Sequence, residues 1–131
     1  MSHKATGEKT QAIILAHLVK HDKKVLLPFG DNQRYDLVID ENGKFIRAQC
    51  KTAWRQSDSV IAFNACSVIW HRRKRRNYLN EVDVFLVYSP DTDKIYQVPI
   101  DEVSVTAIYL RLSPTKNGQN KRVRWAKDYE I

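Results

Sequence analysis

The chain has 131 residues, which is enough for one domain with a buried core. Hydrophobic residues make up 43% of the sequence and charged residues 28%, as in many globular proteins. No apolar run approaches the roughly 20 residues of a membrane span, and the sequence starts without the apolar segment of a signal peptide. We therefore expect no membrane association and a cytoplasmic location.

The charge balance is strongly basic, with 22 Lys and Arg against 15 Asp and Glu and a net charge of +7. Such a balance favours anionic partners, of which nucleic acid is the most common. Cys50 and Cys66 lie far apart without a CxxC spacing, and the histidines form no metal-binding pattern, so zinc is not indicated. Both cysteines are expected to be reduced, small core residues.

The first predicted element is an amphipathic helix over residues 6–21, with Thr6 as its N-cap. Gln11 shares one face with Ile14 and Leu18, since they follow the i, i+3, i+7 spacing of a helix. Two explanations of this polar residue are open. Gln11 lies near the helix start, where solvent still reaches, or it faces a polar pocket; spacing alone favours the first.

The remaining elements are predicted from runs of β-branched and aromatic residues and from the turns between them. In chain order they are a strand at 24–28, a polar turn at 29–34, a hairpin at 36–51, a β-rich segment at 59–69, a basic loop or short helix at 71–76, strands at 82–88 and 94–98, a short helix beginning at Pro99, a strand at 105–112, a polar loop at 114–121 and a basic, aromatic tail. The pattern predicts one α/β domain over residues 1–131, with a mixed β-sheet flanked by helices.

The hairpin is the most informative segment. Asn42-Gly43 is the strongest short-range signal of a two-residue type I′ turn, and it sets Glu41 opposite Lys44. In that register Asp36 lies opposite Gln49, with Cβ atoms about 5 Å apart, and Lys51 projects from the same face. The convergence of a carboxylate, an amide and an ammonium indicates a functional site. A half-solvated strand pair with a surface ion pair is the alternative.

Three motifs resemble those of the PD-(D/E)XK nucleases: Gly7-x-x-x-Gln11-Ala12, Tyr35-Asp36 and Gln49-Cys50-Lys51. Segments 82–88, 94–99 and 120–126 are similar to the second half of the same family. Gln-x-Lys in place of Glu-x-Lys resembles the branch that contains a homing endonuclease encoded in a cyanobacterial group I intron. The resemblance implies a restriction-endonuclease-like α/β core and phosphodiester cleavage.

The resemblance also implies a metal centre. Asp36 and the backbone carbonyl of Cys50 would hold Mg²⁺, with Ca²⁺ or Mn²⁺ as possible substitutes, because hard cations prefer oxygen ligands. Lys51 would position the attacking water or neutralise the transition state, and Gln49 would ligate the ion or hold a water. The family has a glutamate where this chain has Gln11, a neutral isostere. Natural divergence and deliberate inactivation both account for it; we favour the second and expect very weak or no cleavage.

Candidate DNA contacts fall in several segments. A densely basic run is expected to bind phosphates, although a solvated loop is the alternative. A second polar, basic surface lies near the C-terminus, a strand-like segment supplies candidates for base edges, and Arg34 would touch the scissile phosphate. The basic run contains Arg72, Arg73, Lys74, Arg75 and Arg76. The second surface contains Lys116, Lys121 and Arg122, and the candidates for base edges are Ser59, Asn64 and Ser67.

The leading hypothesis is a site-specific, metal-dependent double-strand DNA endonuclease of the homing type, associated with the bacterial nucleoid when bound. The resemblance implies a homotetramer in which two subunits contact DNA, and apolar residues such as Trp70, Tyr109 and Trp125 would serve that assembly or pack in the core. A junction resolvase that shares the site is one alternative function. A DNA-binding module without catalytic activity is the other.

Overall fold

A computed structural model describes residues 2–30, 33–69, 74–76, 78, 80–100, 106–115, 117–118 and 123–131, with only the backbone at 67–69 and 74–76. Within these ranges it contains one α-helix, ten strands and a 3-10 turn at Ala126–Asp128. The helix and strands are α1 His3–Lys20, β1 Lys24–Leu26, β2 Leu37–Glu41, β3 Lys44–Thr52, β4 Trp54–Ser57, β5 Val60–Asn64, β6 Ser67–Ile69, β7 Lys74–Arg76, β8 Val84–Ser89, β9 Lys94–Pro99 and β10 Ala107–Arg111. The helix is not long and apolar enough to cross a membrane.

Helix α1 begins three residues earlier than the sequence predicts. Ser2 is its N-cap, because the Ser2 hydroxyl accepts a hydrogen bond of 3.1 Å from the backbone N–H of Ala5. The prediction of Thr6 as the cap is therefore wrong; serine is among the strongest N-caps, and nothing after it interrupts the helix. Gln11 consequently lies in the middle of α1, away from its solvated start.

A five-stranded mixed sheet forms the centre of the domain, in the order β1-β2-β3-β8-β9. The β3–β8 pair is parallel and the other pairs are antiparallel. Helix α1 packs on one face through a buried stripe at every fourth residue, Thr10, Ile14 and Leu18. The apolar core between α1 and the sheet contains Ile14, Leu18, Leu37, Ile39, Ala48, Val84, Leu86 and Ile95. The predicted mixed sheet is confirmed.

The opposite face of this sheet is covered by strands rather than by a second helix. A three-stranded sheet, β10-β5-β4, packs there over the core that includes Phe63, Phe85, Val87 and Tyr96. The short helix predicted to begin at Pro99 is wrong at that residue, because Pro99 ends β9 opposite Val84. Ile100 is not helical either, and the rest of the predicted helix, residues 101–103, lies outside the described residues.

The basic run is partly a strand. Backbone pairing joins Lys74–Arg76 antiparallel to Ser67–Ile69, so the predicted loop or short helix is wrong for these three residues. Lys and Arg carry only a weak strand signal, and pairing with β6 decides the conformation here. Strand β4 lies outside the predicted β-rich segment, and its four residues are exposed.

Candidate active site

The hairpin formed by β2 and β3 has the predicted register, from Leu37 opposite Ala48 to Glu41 opposite Lys44. Asn42 and Gly43 have φ angles of 55° and 91°, as the two central residues of a type I′ turn require. The Asp40 carboxylate also accepts a 2.8 Å hydrogen bond from the Gly43 N–H. Local turn chemistry therefore fixes which residues of the two strands meet.

Asp36 lies one residue beyond the end of this ladder, so it is not paired with Gln49 as a strand residue. Its backbone N–H donates to the Ala48 carbonyl over 2.8 Å, and its carboxylate accepts the Cys50 N–H over 2.8 Å. The carboxylate thus replaces a strand partner, as short acidic side chains do at strand and helix ends. Since N–H and C=O of one strand residue point to the same edge, the Cys50 carbonyl also faces Asp36.

The charge state of Asp36 depends on its surroundings. Burial raises the pKa of this carboxyl, and the Cys50 amide and the Lys51 charge oppose that rise. A half-buried carboxylate with a raised pKa gains most from a cation that binds it directly. A cation bound next to Asp36 would therefore lower this pKa again.

The Lys51 ammonium is held by two acceptors. Its Nζ donates to the Cys66 carbonyl over 3.3 Å and to the Tyr78 hydroxyl over 3.2 Å, and it lies 4.8 Å from the centre of the Tyr78 ring. An ammonium has three N–H donors. Among the described residues two of these are used, which leaves one for water or a phosphate oxygen.

Gln11 faces the same cavity as Asp36. The cavity has a volume of about 290 Å³ and is lined by Gln11, Leu27, Pro28, Gly30, Gln33, Tyr35 and Asp36. The interpretation that Gln11 is polar because it lies at the solvated start of the helix is therefore wrong. A part-buried hydroxyl pair, Thr10 Oγ1 and Thr52 Oγ1 at 2.6 Å, ties α1 to β3 beside Gln11 and Lys51.

The donors at this site suit a hard cation in kind but supply little charge. Asp36 offers a carboxylate, Gln11 an amide oxygen and Cys50 a backbone carbonyl, all of which are oxygen ligands of the type that magnesium binds. No group of three or more His, Cys, Asp and Glu suited to a metal ion occurs in the part of the chain that the structure describes. Asp36 is the one carboxylate that the described residues supply to the cavity, so they make it less negative than a site with two carboxylates.

The two residues before Lys51 in β3 point to opposite faces of the sheet. Gln49 and Lys51 are two residues apart and therefore share a face of the sheet, where Gln49 is half-buried and in register with Phe85 of β8. The Cys50 side chain points to the α1 side, where it packs against that core. Burial raises the pKa of the Cys50 thiol, so the thiol stays protonated and only the backbone of this residue can ligate.

Arg34 has two close contacts that the sequence does not predict. Its Nε lies 3.0 Å from Glu81 Oε2, and its guanidinium carbon lies 3.9 Å from the centre of the Tyr78 ring. Arg34 and Lys51 therefore contact the same aromatic side chain. Glu81 balances part of their charge.

The other candidate DNA contacts are dispersed. Ser59 is half-buried and its hydroxyl accepts from Ser113 over 2.8 Å, whereas Asn64 is exposed at the end of β5. The backbone of Ser67 lies in β6, opposite Arg76 of β7, which also contains Lys74 and Arg75. Arg72, Arg73, Lys116, Lys121 and Arg122 lie outside the described residues, as does Trp70. Tyr109 is exposed on β10, and Trp125 is half-buried.

Sequence reasoning missed three residues around the site. Thr10 could have been found, because it extends the Ile14–Leu18 stripe by one turn. Tyr78 and Glu81 have no local signal, since Tyr78 reaches Lys51 across 27 positions of the chain and Glu81 reaches Arg34 across a longer span.

Comparisons with known proteins agree with the fold. The sequence model of the family described as PD-(D/E)XK endonuclease matches residues 1–131. The fold is similar to that of a bacterial homing endonuclease, I-Ssp6803I, with a TM-score of 0.71 and 23% identity over 98% of this chain and 86% of the other. A comparison with curated proteins gives no match. Nucleases of the matched family generally use divalent metal ions. The chain belongs to the PD-(D/E)XK endonuclease family.

Proposed function

We propose that the protein is a site-specific, metal-dependent double-strand DNA endonuclease of the homing type. The observation that carries the proposal is that Asp36 and Gln11 line one cavity. The Lys51 ammonium lies close enough to Asp36 for its charge to counteract the rise in pKa that burial causes. Membership in an endonuclease family supplies the reaction class. The similarity of the fold to a bacterial homing endonuclease supports the homing type. An intron-encoded origin is part of the proposal.

The residues would divide the reaction as follows. Asp36 and the Cys50 carbonyl would hold Mg²⁺, for which Ca²⁺ or Mn²⁺ could substitute, and the ion would supply positive charge and acidify a water. The remaining N–H of Lys51 would orient the attacking water or neutralise charge on the phosphate. Gln49, on the same face of β3, accepts or donates a hydrogen bond to a water. Gln11 offers an oxygen without charge.

The neutral side chain at position 11 is expected to impair cleavage. A carboxylate there would add a second negative ligand to a cavity that already contains Asp36. The amide keeps the shape of that side chain and loses its charge, so the metal is bound more weakly. This holds whether Gln11 is natural or was introduced.

DNA would be held by the basic segments. The β6–β7 hairpin brings Lys74, Arg75 and Arg76 onto a strand, and Asn64 at the end of β5 is exposed. We assign phosphate contacts to the basic run that includes Arg72 and Arg73, and to Lys116, Lys121 and Arg122 by sequence alone. A long target exceeds the reach of one domain of 131 residues, so a homotetramer with two DNA-contacting subunits completes the proposal.

Restoring the acid tests the proposal. The Gln11→Glu protein with Mg²⁺ is expected to cleave members of a duplex library at one sequence, whereas the parent cleaves very weakly or not at all. Gln97→Glu on β9 makes the same charge change away from the cavity and should restore nothing. Adding Lys51→Ala to Gln11→Glu should abolish the gain.

The neutral site also favours a second candidate, a DNA-binding module without catalysis. It would be supported if the Gln11→Glu protein binds duplex DNA tightly and leaves every duplex and four-way junction intact, and this result would exclude the endonuclease. Preferential cleavage of junctions over linear duplex would instead support a junction resolvase.

A further inference from the structure

Tyr78 is a buried residue that contacts both cations beside the candidate centre. It is 5% exposed, and its ring packs edge-on against Phe85 of β8 with centroids 5.7 Å apart. Its backbone carbonyl accepts hydrogen bonds from the N–H groups of Glu81 and Val82 at 3.0 and 3.2 Å. Side chain and backbone are thus both fixed, independently of any cation.

Two cations use this fixed ring. The Lys51 Nζ lies 4.8 Å from the ring centre and 3.2 Å from the hydroxyl, and the Arg34 guanidinium carbon lies 3.9 Å from the ring centre. Both separations are within the range of about 6 Å in which the negative face of an aromatic ring attracts a cation. The lysine side chain has four rotatable carbons and would otherwise sample many positions.

We propose that Tyr78 is a positioning residue that holds the Lys51 ammonium and the Arg34 guanidinium together beside Asp36. The inference rests on the proposed function, because it concerns how the cleavage centre is assembled. Like charges repel at short range, so in the protein without DNA two neighbouring cations need contacts that offset their repulsion. The Tyr78 ring provides such contacts, and Glu81 reduces the repulsion by pairing with Arg34.

The hydroxyl of Tyr78 has a specific part in this arrangement. Since an ammonium has no acceptor, Lys51 must be the donor of the 3.2 Å bond, and the tyrosine oxygen the acceptor. Together with the Cys66 carbonyl it fixes the direction of the Nζ group. Removing the hydroxyl should leave the Lys51 ammonium beside the ring but less fixed in direction, without opening the core, because phenylalanine fills the same space.

The first experiment needs no catalysis. In the parent protein, free of metal and DNA, NMR should show the ε-protons of Lys51 shifted upfield by the Tyr78 ring, and Tyr78→Leu should abolish that shift. Tyr78→Phe should keep the shift, and its Lys51 ammonium protons should exchange with water faster. If the Lys51 ε-protons have the shift of a free lysine in the parent, or if ammonium exchange is the same in Tyr78→Phe, the proposal is overturned.

The second experiment measures cleavage in the Gln11→Glu protein. Tyr78→Phe should lower the single-turnover rate constant about tenfold while the Kd for DNA stays unchanged, as expected for loss of one hydrogen bond to a charged group. The matched control is Tyr96→Phe, which removes another buried hydroxyl, one that bonds Thr92 over 3.0 Å. Equal rate losses in both variants would reduce Tyr78 to a structural residue and overturn the proposal. Absence of cleavage in every variant would refute the proposed function, and the NMR result would still decide the role of Tyr78.

Discussion

The hydroxyl pair between α1 and β3 yields a quantitative prediction. Thr10 is 3% exposed, and its Oγ1 lies 2.6 Å from Thr52 Oγ1. Thr10→Val keeps the shape of the side chain and deprives the Thr52 hydroxyl of this partner, which costs about 1.5 kcal/mol. Because 1 kcal/mol corresponds to about 3–4 °C for a domain of this length, the melting temperature should fall by about 5 °C.

A double-mutant cycle separates this bond from general effects of valine. In the Thr10→Val/Thr52→Val protein neither hydroxyl is left without a partner, so its stability should return to within about 0.5 kcal/mol of the parent. The free energies of unfolding are measured in urea for the parent, both single variants and the double variant. A double variant destabilised by the full sum of the single losses would refute the reasoning.

A second hydroxyl pair provides the functional control. Ser113 Oγ donates to Ser59 Oγ over 2.8 Å, far along the chain from Gln11. Ser113→Ala should lose a comparable amount of stability. In the Gln11→Glu protein, Thr10→Val should also slow cleavage, because Thr10 adjoins the restored acid, and Ser113→Ala should leave the rate unchanged.

Four further predictions concern charge, turn geometry and DNA binding. Burial raises the pKa of Asp36, so its ionised form costs folding free energy as pH rises through that pKa. In metal-free buffer Asp36→Asn should melt higher than the parent at pH 7 and lose this advantage toward pH 4. Arg47 lowers the pKa of Asp83, so Asp83→Asn should melt at a lower temperature than the parent at pH 7, and this difference should vanish in acid. Melting temperatures that change in the same direction in Asp36→Asn and Asp83→Asn at pH 7 would contradict this. Gly43→Ala, at φ 91°, should cost roughly 1–2 kcal/mol in urea unfolding, and an unchanged midpoint would contradict it. Affinity for a short duplex should fall about a hundredfold between 50 and 200 mM salt if about four phosphates are neutralised, and a salt-independent Kd would exclude that mode of binding.

Local signals in the sequence predict the hairpin well. Asn42-Gly43 determines the turn type, the turn determines the register, and the register brings Asp36 to Cys50 and Lys51. Each step involves residues fewer than about twenty positions apart, so sequence pattern alone was sufficient.

Features that depend on distant contacts were missed or misassigned. The strand at Lys74–Arg76 depends on pairing with β6, and the partners of Arg34 and Lys51 come from Tyr78 and Glu81, far along the chain. The sequence favours solvent exposure for Gln11 because it predicts the N-cap at Thr6, whereas the N-cap is Ser2. An error of one helical turn at a cap thus changed the interpretation of a residue in the candidate site.

Binding of a divalent ion by Asp36 and Gln11 is the central claim, and paramagnetic relaxation by Mn²⁺ tests it most directly. Substoichiometric Mn²⁺ should broaden the NMR signals of the Cys50 amide and the Gln11 side-chain amide before any others, and Asp36→Asn should abolish this effect. Broadening that begins at Asp128 and Glu130 while Cys50 stays sharp, or that persists in Asp36→Asn, would contradict the claim.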